Sequence, residues 1–313
     1  MKSLTGSKIV VTGGGGFIGS HIVDALLEEG ALVTVIDDFS TGRRDNLAHV
    51  ASRIELIEKS ILEPGIVEKA AKGAFAIVHQ AAIPSVPKSI ERPLESHAAN
   101  SSGTLAVLDA ARKAGVDRVI YATSSSVYGD TAVLPKVETM SPDPLSPYAV
   151  QKLTAELYAK IYYSLHGLKT IGLRYFNVFG PRQDPNGAYA AVIPKFVSLI
   201  ASGKKPQIYG DGSTTRDFTY IDNVVKANLL ALKTEKGFGE AFNIAGGNQI
   251  SLNELVAKIN AAFNSSIAAE YLPPKKGDIK DSYADISKAQ SILGFETMVS
   301  FDEGLKRTIE SLT

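Results

Sequence analysis

Apolar residues fall along this chain in two alternating rhythms. Short runs rich in β-branched residues, at 9–12, 32–36, 76–79, 118–122 and 170–173, are continuous, the pattern of strands buried on both faces. Between them lie stretches with apolar positions three and four apart, which predict helices over 18–29, 100–114 and 147–166. The last opens with Ser146-Pro147, a hydroxyl cap followed by proline in the first turn, where the missing N–H costs nothing. This alternation predicts an α/β chain built on a parallel sheet covered on both sides. After about Asn177 the rhythm breaks. Gly, Pro and Asn gather at 180–187, and a helix at 192–202, a strand at 242–244 and a helix at 252–263 predict a smaller α/β lobe. No repeat, low-complexity segment or flexible linker interrupts it.

Composition narrows the reading. With 313 residues and 44% hydrophobic content the chain can bury an ordinary core. Its 33 basic and 33 acidic residues balance, without a basic tail or arginine cluster, so no nucleic-acid partner is expected. Residues 1–7 carry one lysine and lead into an apolar run that stops at glycines, so neither a signal peptide nor, at roughly 20 residues, a membrane span is expected. The absence of cysteine fits a cytoplasmic location. None of the five histidines forms a metal-binding pair, so no metal is expected.

The first strand runs into Thr12-Gly13-Gly14-Gly15-Gly16-Phe17-Ile18-Gly19. Gly13, Gly16 and Gly19, spaced Gly-x-x-Gly-x-x-Gly between strand and helix, allow a tight turn and the approach of a pyrophosphate to backbone N–H groups. The second strand ends Val35-Ile36-Asp37, about 18 residues past Gly19, where a carboxylate can accept both ribose hydroxyls of an adenosine and repel a 2′-phosphate. NAD is therefore favoured over NADP, in a Rossmann-type doubly wound parallel sheet. Tyr148 and Lys152, four apart, share one helix face. A free tyrosine titrates near 10, and an adjacent ammonium and a cationic nicotinamide would lower it toward use as a base. Ser124, at a strand end, can share a hydrogen bond with the same substrate oxygen.

Taken in order, Thr12-Gly13-x-x-Gly16-Phe17-Ile18-Gly19, Ala81-Ala82, Asn100, Ser124-Ser125-Ser126-Val127-Tyr128-Gly129, Tyr148-x-x-x-Lys152 and the run 174–181 resemble the nucleotide-sugar epimerase branch of the extended short-chain dehydrogenase/reductases. The resemblance covers about residues 8–305. It implies tightly bound NAD over 1–176 and a UDP-sugar lobe over 177–313, with parts near 217–246 packing back on the first domain. It also implies a homodimer through a bundle of the helices near 93–114 and 147–166.

The expected catalytic group is Ser124, Tyr148 and Lys152. Around the cofactor the resemblance implies Gly13, Gly16, Phe17, Ile18, Asp37, Asp38, Ser40, Gly42, Ile61, Gln80, Ala81, Ala82, Asn100 and Phe176, with Tyr148 and Lys152. Around the substrate it implies Ser85, Ser125, Ser126, Asn177, Ala191, Val192, Gln207, Tyr209, Arg216, Lys275, Asp278 and Ser282, with Ser124 and Tyr148. The implied chemistry is C4 epimerisation: Tyr148 takes the 4-hydroxyl proton, NAD is reduced, the 4-keto sugar turns over and is reduced on its other face. Related dehydratases carry Asp-Glu after the active-site hydroxyl, where this chain has Ser125-Ser126.

Ser282 bears on the sugar, since relatives confined to UDP-glucose and UDP-galactose tend to carry tyrosine there and a small residue leaves room for a 2-acetamido group. The stretches 134–138 and 183–195 also resemble UDP-N-acetylglucosamine 4-epimerases. The expected reaction is interconversion of UDP-GlcNAc and UDP-GalNAc, the alternatives being the non-acetylated pair, an unusual UDP-sugar bearing a lactyl or carboxylate group, or a non-catalytic NAD-binding module. Two departures stand out: Ser60 where relatives usually have aspartate near the adenine, and Lys275 where they usually have a phosphate-binding arginine.

Overall fold

A computed structural model describes residues 2–185, 191–274 and 281–313. The first part runs β1 (Lys8–Thr12), α1 (Phe17–Glu28), β2 (Leu32–Ile36), β3 (Ile54–Ile57), α2 (Ile66–Ala71), β4 (Ala76–His79), α3 (Val86–Glu91) and α4 (Pro93–His97). It continues with α5 (Gly103–Lys113), β5 (Arg118–Ser124), α6 (Pro147–His166) and β6 (Lys169–Tyr175). The remainder holds β7 (Val178–Phe179), α7 (Val192–Ala201), β8 (Gln207–Tyr209), β9 (Thr215–Arg216), β10 (Thr219–Tyr220) and α8 (Ile221–Lys233). It ends with β11 (Glu240–Ile244), β12 (Ile250–Ser251), α9 (Leu252–Ala262), β13 (Glu270–Leu272), α10 (Ser287–Leu293) and α11 (Phe301–Leu312).

The seven-stranded sheet has the order β11-β6-β5-β4-β1-β2-β3, and every pairing in it is parallel. Strand order reverses between β1 and β4, so the connections leaving these neighbours diverge and open a crevice at their carboxyl ends. The continuous apolar runs are explained by packing on both faces. One face buries Ile9, Val11 and Val35 against Ile22, Leu26 and Val224; the other buries Val10, Ile77 and Val119 against Val107, Leu108 and Ala155. The first of these clusters extends into the second lobe, where Phe179 lies within 5.5–6.1 Å of the rings of Phe218, Tyr220 and Phe301.

The expected strands and helices form within a few residues of their sequence positions, with one informative exception. The helix anticipated over 100–114 is α5, and its first residues belong instead to a π-helical turn, Ala98–Ser102, that buries Asn100. α2, α10 and α11 were not anticipated. Strand β11 joins the main sheet beside β6, so the chain leaves it after residue 175 and returns by 240. Among the described residues no helix is long and apolar enough to cross a membrane.

Candidate active site

β1 delivers the chain to Gly13 at φ +71°, whose N–H donates to the Ile36 carbonyl at 2.8 Å. A methyl group on Gly13 would lie 2.5 Å from the Ala81 nitrogen, and one on Gly19 would lie 2.0 Å from the Gly13 carbonyl oxygen. Helix and strand meet this closely only without side chains. Gly16 is the N-cap of α1 and no side chain caps it, so the first-turn amides at Phe17 and Ile18 and the helix dipole are offered to an external anion. Asp37 is buried; its Oδ2 accepts the Gly15 N–H at 2.7 Å and its Oδ1 the Phe39 N–H at 2.8 Å. Burial raises its carboxyl above the ordinary value while these two amides pull it back. Asp37 thus braces the glycine turn from beneath. Asp38 Oδ1 accepts both the Ser40 N–H (3.0 Å) and Oγ–H (2.6 Å), and a methyl on Gly42 would come within 2.8 Å of the Gly15 carbonyl carbon. An uncapped helix start walled by glycines and an acidic loop fits the NAD expected from the sequence.

The floor beside this turn is a buried polar chain. Thr12 Oγ1 and His79 Nδ1 are 2.7 Å apart, His79 Nε2 and Thr104 Oγ1 3.0 Å, and Thr104 donates to the Asn100 carbonyl at 2.6 Å. Burial, assisted by the Lys152 charge, pushes His79 down to about 3, so it is a neutral strut. Asn100 and Gln80, expected among the cofactor contacts, have side chains committed to the protein. Asn100 Oδ1 accepts from the Ile83 N–H at 2.8 Å and its Nδ2 donates to Gln151 Oε1 at 2.8 Å, tying the turn through Ala81 and Ala82 to α6. Gln80 Nε2 donates to Tyr175 Oη at 3.1 Å. Ile61 lies against Gly103, whose added methyl would meet Ile61 Cδ1 at 2.7 Å. Ser60 Oγ accepts the Leu62 N–H at 3.3 Å, closing a turn in place of the aspartate of relatives.

Ser146 Oγ accepts the Ala149 N–H and Pro147 follows in the first turn, so α6 starts where its sequence predicts. That start fixes the facing of Tyr148 and Lys152. Ser124, the last residue of β5, hydrogen-bonds Tyr148, and Ser124 Oγ also accepts the Ser126 N–H at 3.2 Å. Lys152 is buried with Nζ donating to the Ala122 carbonyl at 3.0 Å and 5.8 Å from the Tyr148 ring centre. Here the electrostatics differ from the sequence expectation. Burial pushes Tyr148 up to about 12, partly offset by Ser124, and pushes Lys152 down to about 8. The protein alone therefore does not lower the phenol: the ammonium is held by Ala122, and a charge at the nicotinamide position has to supply the rest.

The residues expected around the substrate are joined by hydrogen bonds into a wall made of distant segments. Asn177, at φ +30°, donates from Nδ2 to the Asp217 carbonyl at 3.0 Å. Arg216, in β9, donates to the Thr215 carbonyl at 2.8 Å. The Ser282 N–H donates to Thr215 O at 3.2 Å, and Thr215 Oγ1 donates to Asp281 Oδ1 at 2.6 Å, so Ser282 sits across from Arg216's strand. Phe176 is wholly buried with Val127, Tyr128, Ala245 and Ala284 behind this wall. Ser125 and Ser126 open the 3-10 turn Ser125–Tyr128 after β5, and Ser126 Oγ is buried without a partner among the described residues. Ser85 caps α3 by accepting the Lys88 N–H. Ala191 and Val192 open α7; Gln207 and Tyr209 lie on β8, where Gln207 donates to Glu270 at 3.0 Å. Lys275 and Asp278 lie outside the described residues.

Sequence reasoning passed over three residues that organise this site: Gln151, Asp217 and Asn243. Asp217 is fully buried, and burial pushes its carboxyl up to about 7 against the pull of the amides of Gly246, Gly247, Asn248 and Ala284. An acid between Arg216 and Phe218 carries no local signal of its burial, because its amide partners lie 29 to 67 positions away.

A doubly wound sheet whose first crossover presents an uncapped helix, with a serine-bonded tyrosine on a helix of the opposite face, defines an extended short-chain dehydrogenase/reductase. The chain belongs to the NAD dependent epimerase/dehydratase family, whose model matches residues 9–245. It is 40% identical to a UDP-N-acetylglucosamine 4-epimerase from Methanobrevibacter ruminantium solved in complex with UDP-N-acetylmuramic acid, at TM-score 0.94 over 98% of both chains. A UDP-glucose 4-epimerase from Thermotoga maritima, solved with UDP-glucose, is 39% identical at TM-score 0.93 over 97% of this chain and 98% of that one. The UDP-glucose 4-epimerase of Mycolicibacterium smegmatis is 36% identical over 97% of each chain.

Proposed function

We propose that this chain, an NAD-dependent UDP-sugar 4-epimerase, interconverts UDP-GlcNAc and UDP-GalNAc. The observation that carries the sugar assignment is Ser282, a small side chain whose backbone is pinned to Thr215 beside Arg216. NAD bound at the glycine turn supplies the reversible hydride acceptor at C4. The chain's residues do the remainder. Tyr148 removes and returns the proton of the 4-hydroxyl, and Ser124 holds the same oxygen and passes hydrogen-bond strength to the phenol. Lys152 keeps a positive charge near both and orients the nicotinamide ribose. Ser126, with its buried unpartnered hydroxyl, meets a sugar hydroxyl. Asn177, Arg216 and the start of α7 at Ala191 and Val192 receive the diphosphate and uridine.

A second reading has one observation behind it. The Methanobrevibacter relative was solved with UDP-N-acetylmuramic acid, which bears a lactyl ether on the acetylated sugar. In that reading the same wall admits the larger sugar. The test is to incubate the purified protein with UDP-GlcNAc, UDP-Glc and UDP-N-acetylmuramic acid separately and to resolve the C4 epimers by NMR. Conversion of UDP-GlcNAc is expected; turnover of UDP-Glc alone refutes the sugar assignment.

The fold leaves an apolar face uncovered. Val150, Leu157, Ile161 and Leu165 lie exposed along α6, beside Ile90 and Leu94. We infer that a second copy of this chain covers them, so the particle in light scattering is a dimer, and Leu157→Lys gives a monomer. A cysteine-free chain using NAD and a UDP-sugar fits the cytoplasm.

A further inference from the structure

The carboxylate of Asp217 is the place where the wall's separate segments meet. Oδ1 accepts the N–H groups of Gly246 (3.0 Å), Gly247 (3.1 Å) and Asn248 (3.4 Å), and Oδ2 accepts the N–H of Ala284 (3.2 Å). The first three belong to the turn after β11. The fourth lies two residues from Ser282. Through its own carbonyl the same residue takes the Asn177 side-chain amide at 3.0 Å.

Other bonds carry this fixation along residues 281–285. The Lys136 N–H donates to the Tyr283 carbonyl (2.8 Å), the Asp285 N–H donates to the Lys136 carbonyl (3.0 Å), and Asn243 Nδ2 donates to the carbonyls of Lys136 (2.9 Å) and Asp285 (3.2 Å). The Ala284 methyl is buried among Val127, Tyr128, Phe176 and Ala245. A segment with no regular element of its own is thus held at each residue, and Asp217 is the link between it and Asn177. A neutral side chain of the same length cannot do this: an amide carries one acceptor oxygen and sets its NH₂ against an N–H that it cannot satisfy.

We propose that Asp217 is a positioning residue for the sugar-binding wall, setting residues 281–285 and 246–248 relative to Asn177 and thereby the affinity and size selectivity toward the UDP-sugar. The proposal deepens the assignment made above and rests on it for the identity of the sugar. Among the described residues, the hydrogen bonds of Asp217 reach neither Tyr148 nor the glycine turn. Its loss should therefore separate substrate binding from both chemistry and cofactor binding.

The test compares wild type with Asp217→Asn. Expected are a rise of at least about tenfold in KM for UDP-GlcNAc, with kcat and the Kd for NAD changed less than about threefold. The ratio of kcat/KM for UDP-GlcNAc over UDP-Glc should shift by at least about threefold. Amide exchange in residues 246–248 and 281–285 should accelerate while that of β1 and α6 stays as in wild type. Unchanged KM and ratio overturn the proposal, and so does a parallel loss of NAD affinity, which would mark a residue needed only for folding. If wild type turns over no UDP-sugar, the functional reading falls by itself. UDP then serves as the probe: weakening by at least about tenfold in Asp217→Asn supports the proposal, and equal affinity overturns it. Should the variant not fold, exchange in wild type decides. Amides of 246–248 and 284 must be protected like those of the central strands, and loop-like rates overturn the proposal.

Discussion

The glycine cradle and the proposed substrate wall are built on opposite plans. The cradle is made by one stretch, residues 12–19, with Asp37 reaching in from the neighbouring strand at 2.7 Å. The wall draws on residues near 136, 177, 215–217, 243, 246–248 and 281–285, joined by hydrogen bonds that cross as many as 149 positions of chain, from Lys136 to Asp285. A cofactor shared by a whole family can be met by a fixed local motif whose demands are backbone demands. A sugar that varies from relative to relative is met by pieces that can be altered separately. One region should fail as a unit, the other by degrees.

The largest effect is expected at Tyr148, which sits beside Ser124 and Lys152 and belongs to neither plan. Tyr148→Phe should lower kcat by about 10²–10⁴-fold, the usual contribution of a positioned acid or base, with UDP-sugar affinity nearly intact by calorimetry. Turnover near wild type in that variant would remove Tyr148 from the chemistry.

Gly19→Ala asks whether the cradle tolerates any change. The added methyl falls 2.0 Å from the Gly13 oxygen, so the turn must open at a cost of about 1–3 kcal/mol, and NAD affinity should fall by up to about a hundredfold. Fluorescence titration with NADH measures this, and an unchanged Kd would show the cradle to be as forgiving as the wall.

Lys152 is tested through stability. Burial holds its pKa down to about 8, below the ordinary lysine value of 10.5, so burial costs nothing above pH 10.5, the cost grows as pH falls toward 8, and it is complete below 8. At roughly 1.4 kcal/mol per unit, less about 1 kcal/mol for the bond to Ala122, removing the ammonium should stabilise the chain at pH 7 by about 2 kcal/mol. Lys152→Met should thus be inactive yet melt higher than wild type at pH 7, with the gap closing toward pH 10. A lower melting point at pH 7 would mean that the ammonium is held better than its surroundings indicate.

The two plans also explain what could be read in advance. Parallel strands buried on both faces leave continuous apolar runs, and the Ser146-Pro147 cap, the glycines and the Tyr148-x-x-x-Lys152 spacing are local signals, so the sheet and the cradle were legible. Asp217, Asn243 and Gln151 were not, because each acts through partners far away in sequence, and an isolated acid or amide has no local signature of what it will hold. The π-turn at Asn100 escaped for a related reason: its register is set by bonds to Ile83 and Gln151, against the helical pattern of its own residues.

The smallest effect expected belongs to the wall, and it is the most specific. Ser282 has its N–H on Thr215 and its neighbour Asp281 on the Thr215 hydroxyl, so a larger side chain at 282 cannot retreat by shifting the backbone without breaking both. Ser282→Tyr should therefore act by volume alone. Pocket sterics of this kind are worth about 1–3 kcal/mol, which sets the expected loss of kcat/KM for UDP-GlcNAc at about tenfold or more, with UDP-Glc nearly spared. NAD binding and melting temperature should not move, since the cradle shares no bond with residue 282. Equal loss on both sugars would mean that Ser282 faces the hexose without reading its 2-substituent, and the selectivity would then have to lie elsewhere in the wall.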